Sequence, residues 1–217
     1  MIDLYPAPRY GKIIEPFAGS ARYALKYWDR DVLLIDKYSV IVDVWHYLQQ
    51  ASAADIMGLP DMVNGQSVDD LNISQPEKWL IGFCINQGSA QPKKMYRTSE
   101  RHNFTRWADD KRRIANSVDK IRHWKIDQGD YTIVANESAT WFIDPPYQVG
   151  GKWYVESEID LLALSVWSKS RMGQVIVCEN TKANWLPFTP IGNMVGAYSK
   201  TTEAIWSNDF QQMAMQL

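Results

Sequence analysis

The chain has 217 residues, of which 46% are hydrophobic, 22% charged and 12% aromatic, a composition that excludes a disordered, collagenous or disulfide-stapled protein and leaves room for one domain with an insertion. No apolar run is long enough to cross a bilayer, the first residues lack the pattern of a signal peptide, and Cys84 and Cys178 stand too far apart in sequence to propose a zinc cluster or a disulfide framework, so a cytoplasmic protein is expected. The formal net charge of -2 conceals an asymmetry: residues 91–125 carry eleven Lys and Arg against four acids, a net +7, which leaves −9 on the remainder.

In chain order, Lys12 to Phe17 is a short apolar run ending at Ala18-Gly19-Ser20, after which Ala21, Ala24, Leu25 and Trp28 recur at helical spacing. Strand, small-residue turn and helix follow from that pattern. Asp31 to Asp36 reads as a second buried strand, and Ile41, Val44, Trp45 and Leu48 mark a helix from Ser39 to about Gln50. Two such pairs predict a parallel sheet. From Ala51 to about Lys125 the strand signal fades, and Gly and Pro interrupt the chain repeatedly. Short helices are predicted around Pro76 to Cys84 and Asp109 to Trp124, with a long polar, basic loop between Asn86 and Trp107. The alternating pattern resumes before Asp130. Ala139 to Asp144 is a strong buried strand, Ser157 to Ser170 a helix, Gln174 to Cys178 another strand, and Gly192 to Tyr198 with Glu203 to Ser207 a closing hairpin. The expected architecture is an α/β sandwich, one domain over residues 1–217, with a mostly helical, basic insertion at about 52–123.

Three strand ends carry chemistry. Asp144-Pro145-Pro146-Tyr147 closes a central strand, and in open α/β sheets ligands bind at the carboxyl ends of strands. Two prolines fix both φ angles and remove two donors, so a carboxylate and bare carbonyls can face an amino group beside a flat aromatic ring. The same tetrapeptide also fits a stiff strand exit with an aromatic lid. Glu15-Pro16-Phe17-Ala18-Gly19-Ser20 ends the first strand with residues small enough to admit a ligand to the backbone. Asp36 follows Gly19 by 17 residues, close to the place where nucleoside-binding folds put the acid that holds ribose hydroxyls. Asp130, within Gly129-Asp130-Tyr131, ends a third strand on the same edge. The basic block, interleaved with Tyr96, Phe104, Trp107 and Trp124, fits a surface that meets phosphates and stacks on bases, and fits equally a solvated helix face with an ordinary loop.

In this order and spacing, Glu15 to Ser20, Asp36, Gly129 to Tyr131 and Asp144 to Tyr147 resemble the DNA adenine-N6 methyltransferases of the Dam type, above all those encoded by phages and prophages. The resemblance extends to Val175 through Asn180 and Glu203 through Trp206. It implies a Rossmann-like methyltransferase sheet, S-adenosyl-L-methionine as cofactor, duplex DNA as partner and a place in DNA methylation or restriction-modification. By that likeness Glu15, Pro16, Phe17, Ala18 and Gly19 wrap the cofactor, Asp36 binds its ribose, and Asp130 and Tyr131 meet its adenine. Asp144 and the Pro145 carbonyl accept from the amino group of a flipped target adenine, on which Tyr147 stacks. The basic insertion corresponds to the region of target recognition. Lys93, Lys94, Arg97, Arg101, Arg106, Arg112 and Arg113 are expected to hold phosphates, and Asn86, Gln87, Gln91 and Arg97 to reach base edges. Trp107 and Trp153 are candidates to touch nucleic acid. Lys152, Trp153 and Tyr154 form an expected flap over the target base. Two rival readings share these residues: a catalytically silent DNA- or cofactor-binding relative, and an RNA methyltransferase. No metal site is expected, since no His, Cys and acid cluster has ligand spacing.

Overall fold

The computed structural model describes residues 2–85, 90–97, 106–150, 158–195 and 200–209. The chain divides into two compact units, one formed by Met1–Tyr38 with Trp124–Leu217 and the other by Ser39–His123. The first unit holds a seven-stranded sheet of order β3-β2-β1-β4-β5-β7-β6. Its strands are β1 (Lys12–Glu15), β2 (Asp31–Asp36), β3 (Lys125–Gln128), β4 (Ala139–Ile143), β5 (Gly173–Asn180), β6 (Thr189–Val195) and β7 (Lys200–Ser207). The first five run parallel, and β7 inserts antiparallel between β5 and β6. This is the Rossmann-like α/β sheet that the sequence leads one to expect, closed by the expected hairpin. Its strand order reverses between β1 and β4, which opens a crevice at their carboxyl ends.

Alternation along β4 and β5 separates two apolar faces. Ile14, Trp141, Ile143, Val175 and Val177 form one core with Leu164 of α6 (Leu161–Lys169), capped by Asp160, whose carboxylate accepts from Leu162 N and Ala163 N at 3.0 Å. The other face carries Phe142, on which Tyr23 stacks with centroids 4.3 Å apart and Tyr5 packs edge-on at 5.1 Å. The first residues of the chain cross this face. Arg9 N donates to Gln174 Oε1 at 2.9 Å, Gln174 Nε2 to Ala7 O at 3.1 Å, and the Tyr23 hydroxyl to Pro6 O at 2.8 Å.

Three elements of this unit are shorter than the sequence pattern: α6 begins only at Leu161, after its cap Asp160, rather than near Ser157. β1 stops at Glu15, because Pro16 has no N–H for the ladder. Helix α1 (Arg22–Lys26) starts only after Ala21, whose φ of 44° is left-handed, and it ends before Trp28, which is exposed rather than part of the buried face.

The second unit is helical: α2 (Ser39–Gln50), α3 (Ala53–Gly58), α4 (Gln75–Ile85) and α5 (Arg106–Ala115), with a 3-10 turn at Val118–Ile121. It begins at Ser39, so α2 groups with the inserted helices and not with the sheet. The helix expected over Asp109 to Trp124 breaks at Asn116 and Ser117, poor helix formers whose short polar side chains compete for the backbone. The expected basic loop is, over residues 90–97, a pinned extended segment: Tyr96 and Gln66 are joined N to O at 2.9 Å, Val68 N donates to Lys94 O at 2.8 Å, and Lys93 N to Gly82 O at 3.1 Å. Gly82 permits this crossing, since a Cβ there would lie 2.7 Å from Lys93 O.

Gly173, opposite Ala139 in the β4–β5 register, has a φ of +99° and leaves only 2.2 Å between a built Cβ and Ala139 O. Gly173→Ala combines strain with a backbone clash and is expected to destabilise by about 3 kcal/mol, a fall in Tm of roughly 10 °C. Gly11→Ala, with nothing within 4 Å, is the control and should shift stability by less than about 0.5 kcal/mol. Thermal melting of the two variants checks both.

Candidate functional site

Every strand of the parallel half delivers a polar residue to the carboxyl edge. Asp36, at the end of β2, accepts from Gly19 N at 3.0 Å and from Tyr38 N at 2.9 Å, while its own carbonyl accepts from Gly129 N at 3.0 Å. It thereby gathers the turns after β1 and β3 around itself. Gly19 takes a φ of +45° with open space where a Cβ would stand, so its backbone faces the cleft unobstructed. Asp130 caps the 3-10 turn Tyr131–Ile133, accepting from Thr132 N at 3.0 Å. The rings of Phe17 and Tyr131 lie 5.6 Å apart, and Trp167 braces Tyr131 edge-on at 5.0 Å.

These residues line one cleft with Pro16, Lys37, Tyr38, Gly129, Asp144, Pro146, Glu158 and Ile159. Four carboxylates, Asp36, Asp130, Asp144 and Glu158, face a single lysine, Lys37, among the described lining residues. A cleft of that sign attracts a cationic ligand and repels a diphosphate. The two aromatic rings offer flat apolar surface to a heterocycle, and the Asp36 carboxylate accepts hydrogen bonds at the floor of the same cleft. The donor set therefore fits a nucleoside whose positive charge sits where other Rossmann-like sites hold phosphates.

Glu15 and Ala18 shape the turn from behind. Glu15 is buried, and its Oε1 accepts from Ala24 N at 2.6 Å, tying β1 to α1. Burial pushes its carboxyl up to about 8, against the hydrogen bond from Ala24, with the nearby Asp144 adding to the rise. Asp144 is exposed and lines the cleft. Desolvation and the neighbouring Glu203 and Glu179 push it up to about 7, against a hydrogen bond from Tyr147. Pro145 is buried and Tyr147 half-buried, with its hydroxyl donating to Glu203 Oε1 at 2.6 Å.

Sequence reasoning does not single out Glu203 or Glu179 as site residues. Both are buried at the polar ends of strands that also carry apolar core residues, Val175 to Cys178 on β5 and Ala204 to Trp206 on β7, and a carboxylate adjoining such a run is the signal that could have found them. Lys37, Tyr38, Glu158 and Ile159 were also not foreseen.

The expected DNA-binding residues fall in two groups. Lys93, Lys94 and Arg97 are exposed on the pinned segment, where Lys94 pairs with Asp69 at 2.8 Å. Arg112 and Arg113 on α5 are exposed and paired with Asp109 and Asp110 at 2.7 Å. Arg106 opens α5. Arg101, Asn86, Gln87, Phe104, Lys152, Trp153 and Tyr154 lie outside the described residues. The aromatic part of the basic surface is overturned: Tyr96, Trp107 and Trp124 are buried at 6%, 4% and 3% exposure. Trp107 Nε1 donates to Pro60 O, and Lys111, also buried, pairs with Asp61 and lies over the Trp107 ring. Half-buried Trp79 lines a groove with Asp69, Gln75, Lys78, Pro92, Lys93 and Lys94. Among the described residues no cluster of three or more His, Cys, Asp or Glu could hold a metal, and no helix is long and apolar enough to cross a membrane.

Because the carboxyl of Glu15 has a raised folded-state value, the neutral form is the one that the fold favours. That contribution is whole below about pH 4.5 and is lost as pH rises through about 8. Glu15→Gln keeps the acceptor for Ala24 N and cannot ionise. Its melting temperature should exceed that of the parent protein by several degrees at pH 8 and match it at pH 5, with the remaining slope left by Asp144. Melting curves across this range decide it.

No family model matches the chain, and no curated protein matches it. Among solved structures, a Streptococcus pyogenes chain described as a conserved hypothetical protein is 10% identical, with 89% of this chain and 84% of that chain covered at a TM-score of 0.36. The Escherichia coli protein yhhF, described as a candidate methyltransferase, is 10% identical, with 90% of this chain and 74% of that chain covered at the same TM-score of 0.36. The functional reading therefore rests on the residues of the cleft itself.

Proposed function

We propose that the protein is an S-adenosyl-L-methionine-dependent methyltransferase acting on the N6 amino group of adenine in DNA. The observation that carries the reading is the acidic, aromatic-walled cleft in which Gly19, Asp36 and Asp130 meet the Asp144-Pro145-Pro146-Tyr147 turn. Asp36 and the Gly19 turn would hold the ribose, and Phe17, Asp130 and Tyr131 the adenine of the cofactor. When bound, the cofactor supplies a methyl group on a positively charged sulfur that retains the carbon–sulfur bonding pair as the methyl leaves.

Asp144 and the Pro145 carbonyl accept the two hydrogens of the target amino group and so orient its lone pair toward the methyl carbon. As the nitrogen–carbon bond forms, the nitrogen gains positive charge, and ionised Asp144 stabilises that charge in a site partly shielded from water. The nitrogen then releases one proton, for which Asp144 is the adjacent acceptor. Catalysis is positioning and electrostatics, with no covalent enzyme intermediate.

For the nucleic acid, Lys78, Lys93 and Lys94 supply cations along the groove that Trp79 and Gln75 line. The ring of Trp79 suits stacking on a base, and the ammonium groups of Lys78 and Lys93 suit phosphates, with that of Lys94 shared with Asp69 of the same groove.

Single-turnover methylation of adenine-containing duplex, with melting in parallel, tests the chemistry. The expected order is Asp144 above Asn above Ala. Asn keeps one acceptor without the charge, Ala loses both, and the Ala variant should fall by about 100-fold or more with cofactor affinity unchanged. Full activity in folded Asp144→Ala rejects the mechanism. Affinity for duplex DNA should fall steeply with salt, and neutralising Lys78, Lys93 and Lys94 together should flatten the log–log slope by about one unit per lost phosphate contact. An unchanged slope, read by fluorescence anisotropy, places nucleic-acid binding elsewhere.

A further inference from the structure

Glu203 is 1% exposed on β7, on the sheet face that also carries Cys178, and its Oε1 accepts two phenols. Tyr5 donates at 2.8 Å from the first residues of the chain, and Tyr147 at 2.6 Å from the diproline turn. The two residues after Tyr147 are held as well. Gln148 N donates to the buried Glu179 at 2.6 Å, and Val149 O accepts from Asn180 Nδ2 at 2.9 Å. Tyr5 is itself fixed by Phe142, against which its ring packs edge-on at 5.1 Å. Holding a phenol in place needs only a neutral acceptor, which Gln would supply. A buried carboxylate is a costly choice for that task alone, and its charge therefore calls for a role.

We propose that Glu203 is a positioning residue of the target-base site: braced by Tyr5, it fixes the ring of Tyr147 against the substrate base and sets its own carboxyl group against the turn that carries Asp144. This rests on the reading that Asp144 receives the target amino group. The groups that act electrostatically on Asp144 or feel its charge are Glu15 from β1, Glu179 and Cys178 from β5, Glu203 from β7, Tyr147 from its own turn and Tyr5 from the amino-terminal segment. Burial raises Glu15 and Glu203, and Asp144 stands at about 7 after desolvation and the charge of Glu203 have raised it. The site is thus poised with fewer charges than carboxylates at neutral pH. A cationic reacting centre draws the missing negative charge back onto Asp144, and Glu203 sets the pH at which that happens.

The experiment compares the parent protein with Glu203→Gln, Tyr147→Phe and Tyr5→Phe. First, the Asp144 carboxyl carbon is titrated by NMR with neither cofactor nor DNA present. Glu203→Gln keeps the acceptor and removes the charge, so the midpoint should move to lower pH by about one unit. Second, single-turnover methylation should show the acid limb of the pH profile moved in the same direction. Tyr147→Phe should raise the DNA KM about tenfold with the cofactor KM unchanged. Tyr5→Phe, which leaves the site residues in place, should raise it at least threefold. An unmoved Asp144 midpoint in folded Glu203→Gln overturns the electrostatic part, and unaltered DNA KM in both phenylalanine variants overturns the positioning part. If the parent protein transfers no methyl group, the function proposed above falls, while the NMR titration still decides the coupling between Glu203 and Asp144.

Discussion

One aspartate, Asp36, joins three strand ends. Its carboxylate takes the amide of Gly19 after β1 and that of Tyr38 beyond its own strand, and its carbonyl takes the amide of Gly129 after β3. Without these bonds the three turns would have no common reference, since each is short and lies at the solvent edge of the sheet. With them, the aromatic rings of Phe17 and Tyr131 are brought within 5.6 Å and the cleft between β1, β2 and β3 takes a definite shape. The same carboxylate that organises the backbone also faces the ligand space, so architecture and recognition share an atom set.

Charge is distributed with comparable economy. The cleft carries four acids and one lysine, and just beside it Glu15, Glu179 and Glu203 lie buried within the sheet. Two of these are satisfied by backbone amides, Glu15 by Ala24 and Glu179 by Gln148 and Asn180. The third accepts from two phenols. Uncharged donors let the acids stay inside without importing a lysine or arginine, and so keep fixed positive charge away from the reacting edge. In the helical unit the opposite arrangement holds: many of the cations counted in the sequence are already paired with acids, as Lys94, Lys111, Arg112 and Arg113 are. Asp109 and Asp110 are already counted in the net +7 of residues 91–125, whereas Asp69 and Asp61, the partners of Lys94 and Lys111, lie outside that stretch and lower the charge it offers to a polyanion.

How much was legible follows from which physical signal each element carries. β2 and α2 match their sequence boundaries because both are bracketed by polar residues around an unbroken apolar pattern. Helix α3 was not foreseen: its six residues give too short a period, although Ser52 and Asp55 form a capping box that marks its start. Tyr96 and Trp107 were read as surface because they sit among lysines and arginines, but a large ring gains more from burial than its neighbours in sequence can prevent. Of the cleft, the turn at Gly19, Asp36, Asp130 and the diproline turn were visible as strand-end residues. Glu179 and Glu203 were not, because their function depends on residues distant in the chain and on a strand inserted out of sequence order.

That out-of-order insertion has a kinetic consequence. Tyr5 and Glu203 are 198 positions apart, and β7 must slot between β5 and β6 before the first residues can find their partner. The sheet unit is itself built from both ends of the chain, residues 1–38 and 124–217. Contacts of such long range are late events in folding, since loop closure is paid in entropy before any burial repays it. On a ribosome Tyr5 waits until Glu203 has emerged. The pocket at Tyr147 thus matures last, and an incomplete nascent chain has no means of presenting a finished site.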